Sequence, residues 1–287
     1  MAAARDLPAA FAHVATLLRE GDPDRFFATL FAPADKRPHL HALYAFSLEI
    51  ARIRDSVSEA LPGEIRLQWW RDALQGEARG DVMANPVAAA LDDTVVRCRL
   101  PRQALVNLID ARVGDLYDDP IPTLNDLEGY CGETSSTLIR LASLVLAAGG
   151  DPGSPDAAGH AGVAYAVAGL LRAFPYDVRR GRVALPQSVL DQHGVTRDDL
   201  LAGRRSPALD RALGEMRGVA HRHLDIARRS RGTLPAPVKP AFLPVALVDG
   251  YLRRMERGDY DPFRTVVDRP LWLKQGVLWR AARAGRF

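Results

Sequence analysis

The sequence predicts an all-α fold, and three observations carry that prediction. Apolar residues recur at helical spacing along most of the chain. Strand signals are few and isolated, with Val183-Ala184-Leu185 an example. Neither a strand–helix–strand alternation nor a glycine-rich nucleotide loop occurs. With 47% hydrophobic and 25% charged residues, the 287-residue chain has ample material for a packed core, which argues against a disordered protein. No internal repeat, low-complexity linker or compositional break divides it, so the expectation is a single all-α domain of about ten helices.

Taken in order, Phe11, Val14, Ala15, Leu17 and Leu18 form a first amphipathic stripe, in an N-terminal extension over residues 1–23 that precedes the main domain, 24–287. Leu40, Leu43, Tyr44, Phe46, Ile50 and Ile53 form a second, longer stripe. Pro62-Gly63-Glu64 opens a further helix carrying Ile65, Leu67, Trp69, Trp70 and Leu74. Proline suits a first turn because its missing N–H has no partner there, and an acid complements the positive helix end. Trp69 and Trp70 are adjacent, so one packs inside with Leu67 and Leu74 while the other is left for a partner or membrane contact. Pro86, Pro101 and Pro122 each precede a new apolar period. Residues 124–148 read as one long helix, ended by Gly149-Gly150-Asp151-Pro152-Gly153, and 155–174 as the next. Both carry small residues: Gly132, Ser135, Ser136, Ala142 and Ser143, then Gly162, Ala164, Ala166, Ala168 and Gly169. Such residues allow close helix contact or leave room for a long apolar ligand, and both readings stand at this point.

The formal net charge is only +3, but arginines cluster toward the C-terminal third, in Arg228-Arg229-Ser230-Arg231, Arg253-Arg254 and Arg280-Ala281-Ala282-Arg283. Such patches suit phosphate-bearing surfaces and could assist a peripheral membrane location; their ordinary reading is a solvated helix face. No nucleic-acid-binding motif of diagnostic spacing is present. Cys98 and Cys131 make no disulfide framework, which points to a reducing compartment. His39 and His41, like His221 and His223, stand two apart, point in different directions on a helix and are expected at surface or half-buried positions. No signal peptide is visible and no apolar run approaches the roughly 20 residues of a membrane span.

Several blocks follow one another in a characteristic order. Phe31-Ala32-Pro33-Ala34-Asp35-Lys36-Arg37 leads into Ala42-Leu43-Tyr44-Ala45-Phe46. Leu170-Leu171-Arg172 is followed by Asp177-Val178-Arg179-Arg180-Gly181-Arg182-Val183-Ala184-Leu185-Pro186. Met255-Glu256-Arg257-Gly258-Asp259-Tyr260-Asp261-Pro262-Phe263 comes last. Together they resemble the squalene and phytoene synthase family, whose members have an isoprenoid (terpenoid) synthase-like helical bundle and join two prenyl diphosphates head to head. The resemblance implies that fold from about Asp24 to Phe263 and beyond.

In that family two acidic motifs on facing helices hold magnesium ions that neutralise the departing diphosphate. Asp55 and Asp177 are the remnants of these motifs. Ala51 and Arg52 stand in the leading positions of the first, where the two ends of an Asp-x-x-x-Asp run would share a helix face. Ala173 and Tyr176 stand in the second, with Pro175 between them straining the helix. Four carboxylates are thus missing. Arg52, three residues before Asp55, is close enough to pair with it and to repel a dication. No catalytic residue, metal ligand or cofactor is assigned on this reading. Magnesium enters only under the alternative, a prenyl transferase that uses Asp55 and Asp177 with carboxylates from elsewhere, such as Glu49 and Glu59.

A narrower resemblance lies in Glu49-Ile50-Ala51-Arg52-Ile53-Arg54-Asp55-Ser56-Val57-Ser58-Glu59, in Ile65-Arg66-Leu67-Gln68-Trp69-Trp70, in Arg172-Ala173 with Pro175-Tyr176, and in Pro270-Leu271-Trp272-Leu273. These are similar to the branch of the family that assists assembly of respiratory complex I. That implies a non-catalytic assembly or binding factor whose partners are complex I subunits, an isoprenoid or a lipid, and not nucleic acid. The lack of a long presequence favours a bacterial relative, cytoplasmic and at the inner face of the cytoplasmic membrane. Arg52, Arg54, Arg172, Arg179, Arg180 and Tyr44 are the candidate anion- and ligand-binding residues. The competing reading of the arginines is a structural network with Asp55, Asp177 and Glu59.

Overall fold

Asp6 starts the first helix: its carboxylate accepts the Ala9 amide at 3.0 Å, and Pro8 sits in the first turn of α1 (Leu7–Gly21). Asp22 repeats the device for α2 (Pro23–Thr29), accepting the Arg25 amide at 3.0 Å and pairing with the Arg25 guanidinium at 2.7 Å. These belong to a computed structural model that describes residues 6–117, 119–153 and 155–287. Fourteen α-helices and no strand occur among the described residues, and 183–185 have no regular structure. The chain divides into two compact units.

The first unit comprises Met1–Tyr117, Thr137–Ser154 and Leu234–Phe242. Its centre is α3 (Arg37–Arg52), which buries Leu40, Leu43, Tyr44, Phe46 and Ile50. The N-terminal segment is part of this core, because α1 packs on α3 and buries Val14 and Leu18. Each such leucine contributes about 1.5–3 kcal/mol on leaving water. Next come α4 (Ala60–Gln75), α5 (Pro86–Cys98) and α6 (Arg102–Ala111). Helix α5 is capped by Asn85, whose side-chain oxygen accepts the Val87 and Ala88 amides, and it packs on both α1 and α3. Helix α4 starts at Ala60, two residues before the proline expected to open it. Trp70 is buried edge-on against Phe46 at 5.3 Å, while Trp69 is half-buried, as adjacency on a helix requires.

The expected single helix over 124–148 is three segments. Helix α7 (Leu124–Cys131) runs into a π-helical turn (Gly132–Ser136) and resumes as α8 (Thr137–Leu146), which belongs to the first unit. Hydroxyl competition for main-chain carbonyls accompanies the change. Thr134 Oγ1 donates to the Tyr130 carbonyl and Ser136 Oγ to the Gly159 carbonyl, each at 2.7 Å.

The second unit comprises Asp118–Ser136, Pro155–Thr233 and Leu243–Phe287. Its spine pairs α9 (Pro155–Arg179) with α12 (Pro207–Ser230), after the short α10 (Gln187–His193) and α11 (Arg197–Leu201). Helix α12 buries Leu209, Leu213, Met216, Ala220, Leu224 and Ala227, a stripe of three- and four-residue steps. A 3-10 run (Ala236–Leu247) leads to α13 (Val248–Met255) and α14 (Leu271–Ala284). Helix α9 was expected to stop at 174, yet it continues through Pro175 to Arg179. Proline removes one helical hydrogen bond, and here its ring is buried, which offsets that loss. The small residues serve close contact at one crossing: a Cβ on Gly162 would stand 2.3 Å from Ser136 Cα. Gly132 and Gly169 instead border open space.

Candidate functional site

The remnant motif residues fall in different units, Asp55 in the first and Asp177 in the second, and each has its own surroundings. Helix α3 ends at Arg52. Ile53 is a turn and Asp55 lies in a 3-10 turn (Arg54–Ser56), before Val57 becomes extended. Positions 51 and 55 therefore do not share a helix face, contrary to the expectation from spacing. The break is local: Ser56 Oγ donates to the Ile53 carbonyl at 2.8 Å and itself accepts from Arg66 at 2.5 Å. Arg54 donates to the Val57 carbonyl at 3.5 Å. Arg52 is exposed and turns toward the end of α1, where its guanidinium donates to the Gly21 carbonyl at 3.5 Å. Gly21 permits this approach, since a Cβ there would meet the Arg52 guanidinium at 2.8 Å.

Further along α3, Tyr44 is buried with the Arg25 guanidinium 5.6 Å above its ring. Burial pushes its pKa up to about 12, so the phenol stays protonated. His41, expected at or near the surface, is buried: its Nε2 lies 2.8 Å from Thr29 Oγ1 and its ring stacks on Phe26 at 5.3 Å. Burial first, then the Arg37 charge, lower its pKa to about 4. Glu49 is half-buried, and desolvation raises its pKa; Glu59 is exposed.

In the second unit, Asp177 is half-buried near the end of α9, with Arg182 at 3.8 Å. Its carbonyl accepts the Arg180 and Arg182 amides at 3.0 and 2.9 Å, closing a turn in which Gly181 adopts φ +77°. Arg172 is built into the fold. Its guanidinium lies 3.9 Å over the Tyr251 ring, Nε donates to the Val267 carbonyl at 3.0 Å, and Nη2 reaches Asp268 at 3.4 Å. Arg179 donates to the Phe263 carbonyl at 3.3 Å. Arg180 is exposed. The structure thus gathers Arg172 and Arg179 around residues 251 and 263–268, which sequence reasoning did not link to them. Asp268 had no signal to find it by, since it lies outside every motif.

The residues present do not fit a magnesium cluster of the expected kind. Hard dications take carboxylate oxygens, whereas Ala51 and Arg52 flank one remnant and Ala173 and Tyr176 the other. Among the described residues, no three His, Cys, Asp or Glu side chains converge as a metal site.

Known proteins place the chain. The squalene/phytoene synthase family model matches residues 18–276. The NADH dehydrogenase (ubiquinone) complex I, assembly factor 6 of Rattus norvegicus is 34% identical over 257 residues, covering 90% of this chain and 77% of that protein. The Homo sapiens protein of the same name is 32% identical, covering 86% and 74%. The crystal structure of squalene synthase HpnC from Alicyclobacillus acidocaldarius is 23% identical, with a TM-score of 0.69 over 99% of this chain and 98% of that one, a likeness of fold. With the helical architecture and a family match over most of its length, the chain belongs to the squalene/phytoene synthase family.

Proposed function

We propose that this protein is a non-catalytic factor in the assembly of respiratory NADH:quinone oxidoreductase, complex I. One observation carries the proposal: at the first remnant motif, Asp55 sits off the end of α3 with Ala51 and Arg52 where carboxylates would be needed. Ionising an allylic diphosphate requires positive charge held by convergent carboxylates, and Arg52 supplies a fixed cation in place of a metal ligand. The relatives named as complex I assembly factors support the same reading. What remains of the family plan is a folded helical body whose surface can engage client subunits, fold and activity being separable.

Deleting the gene tests the proposal. The expected result is loss of fully assembled complex I on native gels and of NADH:quinone oxidoreductase activity in membranes. Complementation with Asp55→Ala/Asp177→Ala should restore both, because the proposed role needs no metal-bound carboxylate. Fully assembled, active complex I in the deletion strain would defeat the reading. Magnesium-dependent diphosphate release from farnesyl or geranylgeranyl diphosphate by the purified protein would replace it with prenyl transfer.

A further inference from the structure

Helix α14 presents an unusual outer face. Trp272 is 69% and Trp279 53% exposed, and Leu271 beside them is 45% exposed. The two tryptophans stand seven residues apart, about two helical turns, and so lie on nearly the same side. The opposite side is anchored: Leu278 is fully buried, and Lys274, also buried, pairs with Asp268 at 2.6 Å. Large aromatic faces left in water at helical register call for a covering surface.

Charge identifies that surface. No Asp or Glu occurs from Arg269 to Phe287, whereas Arg280, Arg283 and Arg286 are all exposed. The Arg283 guanidinium lies 5.3 Å from the Trp279 ring centre, so cation and aromatic occupy one patch. Directly before α14, a cleft of about 190 Å³ is lined by Arg253, Arg254, Arg257 and Arg269, together with Tyr251, Val267 and Asp268. Asp268, the one acid in this lining, is shared between Lys274 at 2.6 Å and Arg172 at 3.4 Å, and the acids nearby are shared in the same way. Asp249 faces both Arg228 at 2.6 Å and Arg253 at 4.0 Å, and Asp259 faces Arg254 at 3.0 Å and Arg257 at 3.3 Å. The cleft wall at Asp268 and Arg269 leads through Pro270 straight into the first turn of α14, and Val266 beside it is 56% exposed.

We propose that α14 and the arginine cleft dock this protein on an anionic phospholipid surface, the tryptophans entering the headgroup layer and the cleft receiving a headgroup phosphate. Tryptophan is favoured at the boundary between hydrocarbon and water, and arginine is attracted to anionic lipid and forms bidentate contacts with phosphate. A second copy of the chain is a poorer occupant, because α14 carries no acid and pairing its like faces would bring Arg280, Arg283 and Arg286 together.

The test is co-sedimentation of the full chain with vesicles of phosphatidylcholine alone or mixed with phosphatidylglycerol, together with tryptophan emission. Binding to the anionic vesicles only, weakening with salt and accompanied by a blue shift, is expected. Trp272→Ala/Trp279→Ala, Arg280→Glu/Arg283→Glu and Arg254→Glu/Arg257→Glu should each weaken it about tenfold or more. The tryptophan and α14 arginine side chains are well exposed, so unchanged circular dichroism and melting are expected of those two variants, while the third, which removes the pairs of Asp259, is read only if its circular dichroism is unchanged. Equal binding to neutral vesicles, no binding at low salt, or full binding by all three variants would overturn the proposal. So would a dimer in sedimentation velocity that the tryptophan substitutions dissolve.

Discussion

Arg172 acts as a strut: one guanidinium covers Tyr251 and reaches both the Val267 carbonyl and Asp268. Arg172→Ala should therefore lower unfolding free energy by about 1–3 kcal/mol in urea titrations, even though half of its role is invisible in the motif around it. His41 yields a prediction with a sign. Its folded pKa of about 4 lies below the ordinary 6.5, so the folded state favours the neutral ring. The unfolded chain binds this proton first on acidification, so the contribution is complete above about pH 6.5 and is lost as pH falls toward 4. The loss is on the order of 3 kcal/mol at most. His41→Gln should flatten that part of the stability profile, measured by denaturation from neutral pH down to about pH 4. Both roles lay beyond sequence reading, because burial of a histidine and the partner of an arginine are set by other elements.

At the scale of elements, the stripes of α1 and α3 and the proline that opens α5 were legible, since amphipathic spacing and proline geometry are local. Three boundaries were not. Helix α3 stops at Arg52 and gives way to a 3-10 turn in which Ser56 bonds the Ile53 carbonyl, α7 passes into a π turn, and α9 runs on through Pro175. Each depends on hydrogen bonds or burial that no single-residue preference encodes. The α9 crossing gives the sharpest check. Alanine is favoured over glycine in helices by about 1 kcal/mol, yet the Gly162→Ala methyl would meet Ser136 Cα at 2.3 Å. Backbone cannot yield as a side-chain tip can, so G162A should cost about 2–4 kcal/mol in chemical denaturation, against a small gain if the contact were loose.

For the molecule as a whole, the family plan was readable from ordered blocks, and so were Ala51, Arg52, Ala173 and Tyr176 at positions where the resemblance implies carboxylates. The displacement of Asp55 from α3 was not, and it makes the loss more than a matter of charge. Ala51→Asp/Arg52→Asp/Ala173→Asp/Tyr176→Asp should accordingly fail to release diphosphate from farnesyl diphosphate with magnesium. Turnover by that variant would show that missing charge was the sole defect. The π turn at Gly132–Ser136 carries a consequence of its own. A π bulge amounts to one surplus residue in an α-helix, worth roughly 100° of rotation. Excising one of those five residues would leave circular dichroism almost untouched while swinging Leu127 and Cys131 off their buried faces, an error written in azimuth and not in helicity.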